Sequence, residues 1–145
     1  MKRALLLSLA LLSLAACSHA TLNVPSGFAR VDGKYDFRAV NPQGVVVAAR
    51  LEKNDPRSDL GFWASAVDLK LARKGYTRTA DSDVKSQDGV AGKMFKYDAG
   101  GGNGYWVAVF STPNHVLVTE ATGYQKDMDA SAKQIEAALL SGRAD

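Results

Sequence analysis

The chain has 145 residues, 18 Lys and Arg against 15 Asp and Glu, 46% hydrophobic and 23% charged residues, and one cysteine. This composition is that of a single globular domain with a real core, not of a disordered chain, and one cysteine excludes a disulfide framework and a thiolate zinc site. Two of the cations behind the formal charge of +3 are Lys2 and Arg3 at the extreme N-terminus. The remainder is close to neutral and gives no general basis for nucleic-acid binding.

Lys2 and Arg3 precede an apolar run from Ala4 to Leu14, which has the length of a secretory signal and is short for a membrane-spanning helix. The run ends in Leu14-Ala15-Ala16-Cys17. Small residues before the cut suit a narrow peptidase groove, and the cysteine thiolate is the nucleophile that accepts lipid. The segment resembles the lipobox of bacterial lipoproteins. That resemblance implies diacylglyceryl on the Cys17 sulfur, cleavage before Cys17 and a further acyl chain on the new amino group, which together hold a protein stably on a membrane. On the same resemblance, Ser18 in place of Asp implies the outer membrane. The expected organisation is a signal peptide over 1–16, a lipidated tether over 17–26 and a single domain over 27–142.

Within the domain, Phe28 to Val31 and Tyr35 to Val40 flank Asp32-Gly33, a hairpin-turn dipeptide. Val45 to Leu51 is a continuous apolar run that reads as a central strand. Ser58 is the expected N-cap of a helix in which Leu60, Trp63, Val67 and Leu71 form one apolar stripe, closed by Lys74 and a C′ glycine, Gly75. Tyr76 to Val84 reads as an edge strand because it is polar. Val90 to Tyr97 follows, with Gly92 as a candidate bulge. Asp98 to Gly104 reads as a glycine-rich loop. Tyr105 to Ser111 and His115 to Thr122 are strands joined by Thr112-Pro113-Asn114. Asp127 to Ser141 is the second helix, with Met128, Ala132, Ile135 and Leu139 as its apolar stripe. The fold class expected from this order is α+β, a largely antiparallel sheet of about six strands packed with two amphipathic helices.

Tyr105-Trp106-Val107-Ala108-Val109-Phe110, Thr112-Pro113-Asn114-His115, the run from Val116 to Gly123 and the closing helix resemble the PsbP-like superfamily, and the helix ending at Lys74-Gly75-Tyr76 sits where that fold has one. The resemblance covers about residues 28–141 and implies a PsbP-like sandwich acting as a non-enzymatic binding or assembly-support domain. It supplies no functional residues.

Nucleophilic catalysis needs a base beside the nucleophile. His19 lies in the expected tether, and His115 in a hairpin turn near Ser111, Thr112 and Glu120 reads more simply as an exposed turn residue. Asp81-Ser82-Asp83 has Lys85 and Ser86 where a calcium loop needs an oxygen ligand and Gly. Gly100 to Gly104 lacks the Lys-Ser/Thr of a phosphate cradle. Glu120 is the one acid inside a strongly apolar strand, and Lys93 or Lys96 are its expected partners. Tyr105 and Trp106 must point to opposite faces of the sheet, so one of them is free to line a contact patch. The sequence therefore implies a non-catalytic lipoprotein of the outer membrane, facing the periplasm, with no cofactor and no metal. Its expected contacts are the membrane, through Cys17, and an envelope protein of unknown identity. Trp106, Tyr105, Glu120 and His115 form the candidate binding surface. One alternative is a periplasmic binding protein for a small apolar ligand lined by Trp63, Trp106 and Phe110, and another is a small hydrolase centred on His115.

Overall fold

The computed structural model describes residues 18–145; the signal segment and Cys17 lie outside the described residues. Nine strands and three helices follow in the order β1 (Ala20–Thr21), β2 (Ala29–Arg30), β3 (Phe37–Val40), β4 (Val46–Lys53), α1 (Leu60–Arg73), β5 (Thr77–Lys85), β6 (Ala91–Gly100), β7 (Asn103–Ser111), β8 (His115–Tyr124), α2 (Gln125–Ala130), α3 (Ala132–Leu140) and β9 (Arg143–Ala144). The main sheet has seven strands in the order β2-β3-β4-β8-β7-β6-β5, all antiparallel. α1 carries the chain from β4 to the far edge, and the meander β5 to β8 returns to pair with β4. The result is α+β with a largely antiparallel sheet, as the sequence implies.

Alternation along the central strands sends apolar side chains to both faces. On one face Phe37, Met94, Trp106, Phe110 and Leu117 pack with Met128, Ile135 and Leu139 of α2 and α3. On the other, Phe95, Tyr97, Val107, Val109, Val116 and Val118 pack with Ala64 and Leu71 of α1. The sheet is thus the middle of three layers. Each large side chain that is fully enclosed, such as Phe110 or Ile135, stabilises by about 1.5–3 kcal/mol relative to exposure.

Several boundaries differ from the sequence reading. The segment read as a tether is drawn into the fold: Ala20–Thr21 pairs with Arg143–Ala144, and Ala20 and Leu22 are buried in the core. The helix α1 is capped by Asp59, whose carboxylate accepts from Phe62 N at 2.9 Å. Ser58 is not the cap because Asn54 brackets it, accepting from Ser58 N at 2.9 Å and donating to its carbonyl at 2.9 Å. The glycine loop is only a hairpin tip. β6 runs to Gly100 and pairs it with Asn103, while Gly100, Gly101 and Gly102 all hold positive φ. The closing helix starts earlier, at Gln125, and breaks at Ser131 (φ −119°, ψ 23°). Gly92 is not a bulge. A Cβ there would lie 2.4 Å from the Phe110 ring and 2.9 Å from the Val109 carbonyl, so the ring requires the glycine.

Candidate functional site

The four candidate surface residues fall in three places. Only Tyr105 and Glu120 meet. β8 lies between β4 and β7, with Glu120 opposite Ala48 on one side and Val107 on the other. Arg50 and Tyr105 are each two residues from those partners along their strands. They therefore reach Glu120 diagonally on the same face of the sheet. Arg50 Nη1 donates to Glu120 Oε2 at 3.3 Å, and the Tyr105 hydroxyl donates to the same oxygen. Lys93 and Lys96, the expected partners of Glu120, are two strands away on β6. Lys93 pairs with Asp81 at 3.5 Å and Asp83 at 3.2 Å, and Lys96 pairs with Glu136. The acid motif at 81–83 thus already faces an ammonium group.

Glu120 is nearly buried, and Arg50 with Tyr105 supplies the charge and donor that make this tolerable. Burial, then the charge and hydrogen bond of Glu120, push the Tyr105 hydroxyl well above its ordinary value. Tyr35, in the loop between β2 and β3, is raised too, first by the charge of Glu120 and then by burial. Both hydroxyls stay protonated in neutral solution. The network is charge-balanced, with the carboxylate engaged by two donors.

This cluster floors a cleft of about 360 Å³ bounded by Tyr35, Arg50, Lys70, Lys74, Tyr76 and Thr122. Lys70 in the last turn of α1 and the C-cap residue Lys74 are four residues apart and both line the cleft. The sequence does not reveal that Arg50 and Tyr35 join these lysines. That depends on the pairing of β4 with β8 and on the fold of the loop at 31–36.

Trp106 lies on the opposite face, 2% exposed, with the Lys96 ammonium 4.1 Å from its ring centroid. It packs against the core instead of presenting a patch. Phe110 is enclosed as well, and Trp63 is half-buried with its indole N–H donating to Asn54 Oδ1 at 2.7 Å. The apolar recess beside Phe110 and Leu117 measures about 100 Å³, well below a site for a drug-sized ligand. The residues proposed to line an apolar pocket are therefore core and helix-anchoring residues. His115 stands at the start of β8, at the opposite end of that strand from Tyr105's partner Thr122. Ser111 Oγ donates to the Ser58 carbonyl at 3.4 Å and Thr112 Oγ1 to the His115 carbonyl at 3.2 Å. Among the described residues, neither hydroxyl is hydrogen-bonded to the His115 imidazole. The nucleophile–base contact that the hydrolase alternative needs is not formed.

No family model matches the chain, and no curated protein matches it by sequence. Solved structures do match. The solution structure of cyanobacterial PsbP (CyanoP) from Synechocystis sp. PCC 6803 aligns over 88% of this chain and 93% of its own, with a TM-score of 0.57 and 9% identity. The crystal structure of LpqN, described as involved in cell envelope biogenesis of Mycobacterium tuberculosis, aligns over 88% of this chain and 83% of its own, with a TM-score of 0.60 and 12% identity. The fold is PsbP-like. The resemblance drawn from the strand block at 105–123 thus holds for the architecture, and at such identities it extends no further. Among the described residues no three His, Cys, Asp or Glu side chains converge as a metal site, and no helix is long and apolar enough to cross a membrane.

Proposed function

We propose that the chain is a lipid-anchored, non-catalytic domain of the bacterial outer membrane, facing the periplasm, where it acts as an interaction or assembly-support module for an envelope protein. The observation that carries this reading is the sequence Leu14-Ala15-Ala16-Cys17 after a cationic start and an apolar run. A PsbP-like fold shared with LpqN, a protein named for cell envelope biogenesis, supports the setting. The charge-balanced state of Glu120 supports a structural and recognition role for that cluster over general-base work, because its carboxylate is engaged by Arg50 and Tyr105. Cleavage before Cys17 leaves the first strand to begin three residues later, so the domain sits close against the membrane.

The test is replacement of Cys17 with Ala in the native host, followed by membrane fractionation and crosslinking in living cells. The expected outcome is a folded but unacylated and unprocessed protein that no longer fractionates with outer membranes, and a reproducible protein crosslink in the wild type alone. A Cys17→Ala protein processed and membrane-bound like the wild type contradicts the anchor.

A further inference from the structure

α1 carries a second apolar stripe besides the one it buries. Phe62 and Leu69 are 49% and 52% exposed and stand two helical turns apart on one side of the helix. Ala66, also exposed, lies between them, and Asp59 and Arg73 continue the line at its two ends. The run Asp59, Phe62, Ala66, Leu69, Arg73 has the alternating three- and four-residue spacing of a helix seam. The other exposed large apolar residues, Val24, Tyr35 and Tyr124, lie on separate segments, where single exposure is ordinary.

Phe62 is held in place without a partner. Asp59 caps its N–H at 2.9 Å, its ring meets the Trp63 ring edge-on at 5.1 Å between centroids, and Asn54 fixes the Trp63 indole. An exposed aromatic that is already ordered loses little entropy on binding. The small Ala66 at the middle of the stripe lets a second helix approach closely.

The charges at the ends of the stripe select the partner. Asp59 and Arg73 are equally far from Ala66 along the chain. An antiparallel copy of α1 crossing at Ala66 sets each Asp59 against the other copy's Arg73, and each Phe62 beside the other's Leu69. A parallel copy would set like charge against like. The Asp59 carboxylate caps the helix through Oδ1 and has a second oxygen to accept from a guanidinium.

The segment leading to Cys17 leaves this face open. Ala20 and Leu22 pack in the core on the α2–α3 side of the sheet. α1 starts beside the β7–β8 hairpin, where Asn54 donates to the Thr112 carbonyl, and ends beside Thr122, so it runs along β8. The two-fold axis of an antiparallel pair then runs across the strands. Such an axis keeps corresponding residues of the two copies at equal height along itself, which suits two anchors in one bilayer.

We propose that α1 is the contact surface of a homodimer, paired antiparallel through Phe62, Ala66 and Leu69 with reciprocal Asp59–Arg73 ion pairs. Helices of 14 residues, about 21 Å long, meet over less than the about 1,600 Å² of a standard interface, so free molecules pair weakly. On the anchored reading, confinement to one membrane raises the effective concentration of the copies.

The test is disulfide trapping of the full protein in its native membranes. Ala66→Cys on the two-fold axis faces its own copy, and Lys133→Cys on α3 is the comparison. Mild oxidation is expected to give a covalent dimer from Ala66→Cys in about tenfold greater yield than from Lys133→Cys. Leu69→Glu or Arg73→Glu added to Ala66→Cys should cut that yield about tenfold, and Arg73→Lys should retain it. Both positions are exposed, so thermal melts of these variants should match that of Ala66→Cys. Equal dimer from Lys133→Cys, unchanged yield with Leu69→Glu and Arg73→Glu, or an adduct of Ala66→Cys with a different protein in place of the dimer overturns the proposal. The same trap on concentrated protein purified in a nonionic detergent does not depend on the membrane, and intact mass of that sample reports acylation of Cys17 separately.

Discussion

Tyr105 on β7 donates its hydroxyl to Glu120 on β8, the one acid in an otherwise apolar strand, and Arg50 reaches the same carboxylate from β4. Three strands are thus tied across one face of the sheet by a single carboxylate.

Removing either donor should leave that carboxylate underserved. Tyr105→Phe is expected to destabilise by about 1–2 kcal/mol. Arg50→Met should cost about 2 kcal/mol, less than a fully buried pair because the Arg50 side chain is 32% exposed. Urea denaturation of the single variants, and of each combined with Glu120→Gln, should show non-additivity, since the second change removes the charge that made the first costly.

The tyrosines make alkaline stability informative. Burial and Asp68 push Tyr97 well above its ordinary value of 10.0, and burial and Glu120 do the same to Tyr105. Above about pH 10 the unfolded chain loses these protons while the folded chain keeps them. The folded state then binds more protons, so stability should hold below pH 10 and fall as pH rises beyond it. Ultraviolet titration should show Tyr97 and Tyr105 ionising only as the protein unfolds, and ionisation of either near pH 10 in the folded protein would contradict the arrangement.

Asn54 is a junction the sequence does not announce. Its side chain donates to the carbonyls of Ser58 and Thr112 at 2.9 and 2.8 Å and accepts from Ser58 N and the Trp63 indole. It fastens the start of α1 to the β7–β8 hairpin. Asn54→Ala should cost about 2–4 kcal/mol, because several half-buried polar groups lose partners at once. A thermal melt unchanged from the wild type would refute that role.

Gly92→Ala should destabilise by about 1–3 kcal/mol, since the new methyl must displace the Phe110 ring and meets the Val109 backbone. Gly92→Ala with Phe110→Leu should recover part of the loss, as read by denaturant midpoints. No recovery would mean that the Phe110 ring is not what requires the glycine.

The parts of the fold visible in the sequence are those governed by local periodicity. The stripe Met128, Ile135 and Leu139 is buried even though the helix breaks at Ser131, because burial follows the face, not the continuity of the helix. Opposite faces for Tyr105 and Trp106 follow from strand alternation alone. What depends on pairing between distant segments was not legible. Arg50 and Glu120 are 70 residues apart, and only the β4–β8 register brings them together. The same holds for the closing of β1 on β9, where two-residue strands carry no periodic signal of their own.

The proposed lipid anchor on Cys17 is tested most directly by the intact mass and N-terminal sequence of the native protein from fractionated envelopes. A chain beginning at Cys17 and carrying acyl mass in outer-membrane fractions is the expected result. A soluble, unacylated chain, or one that retains residues 1–16, would contradict it.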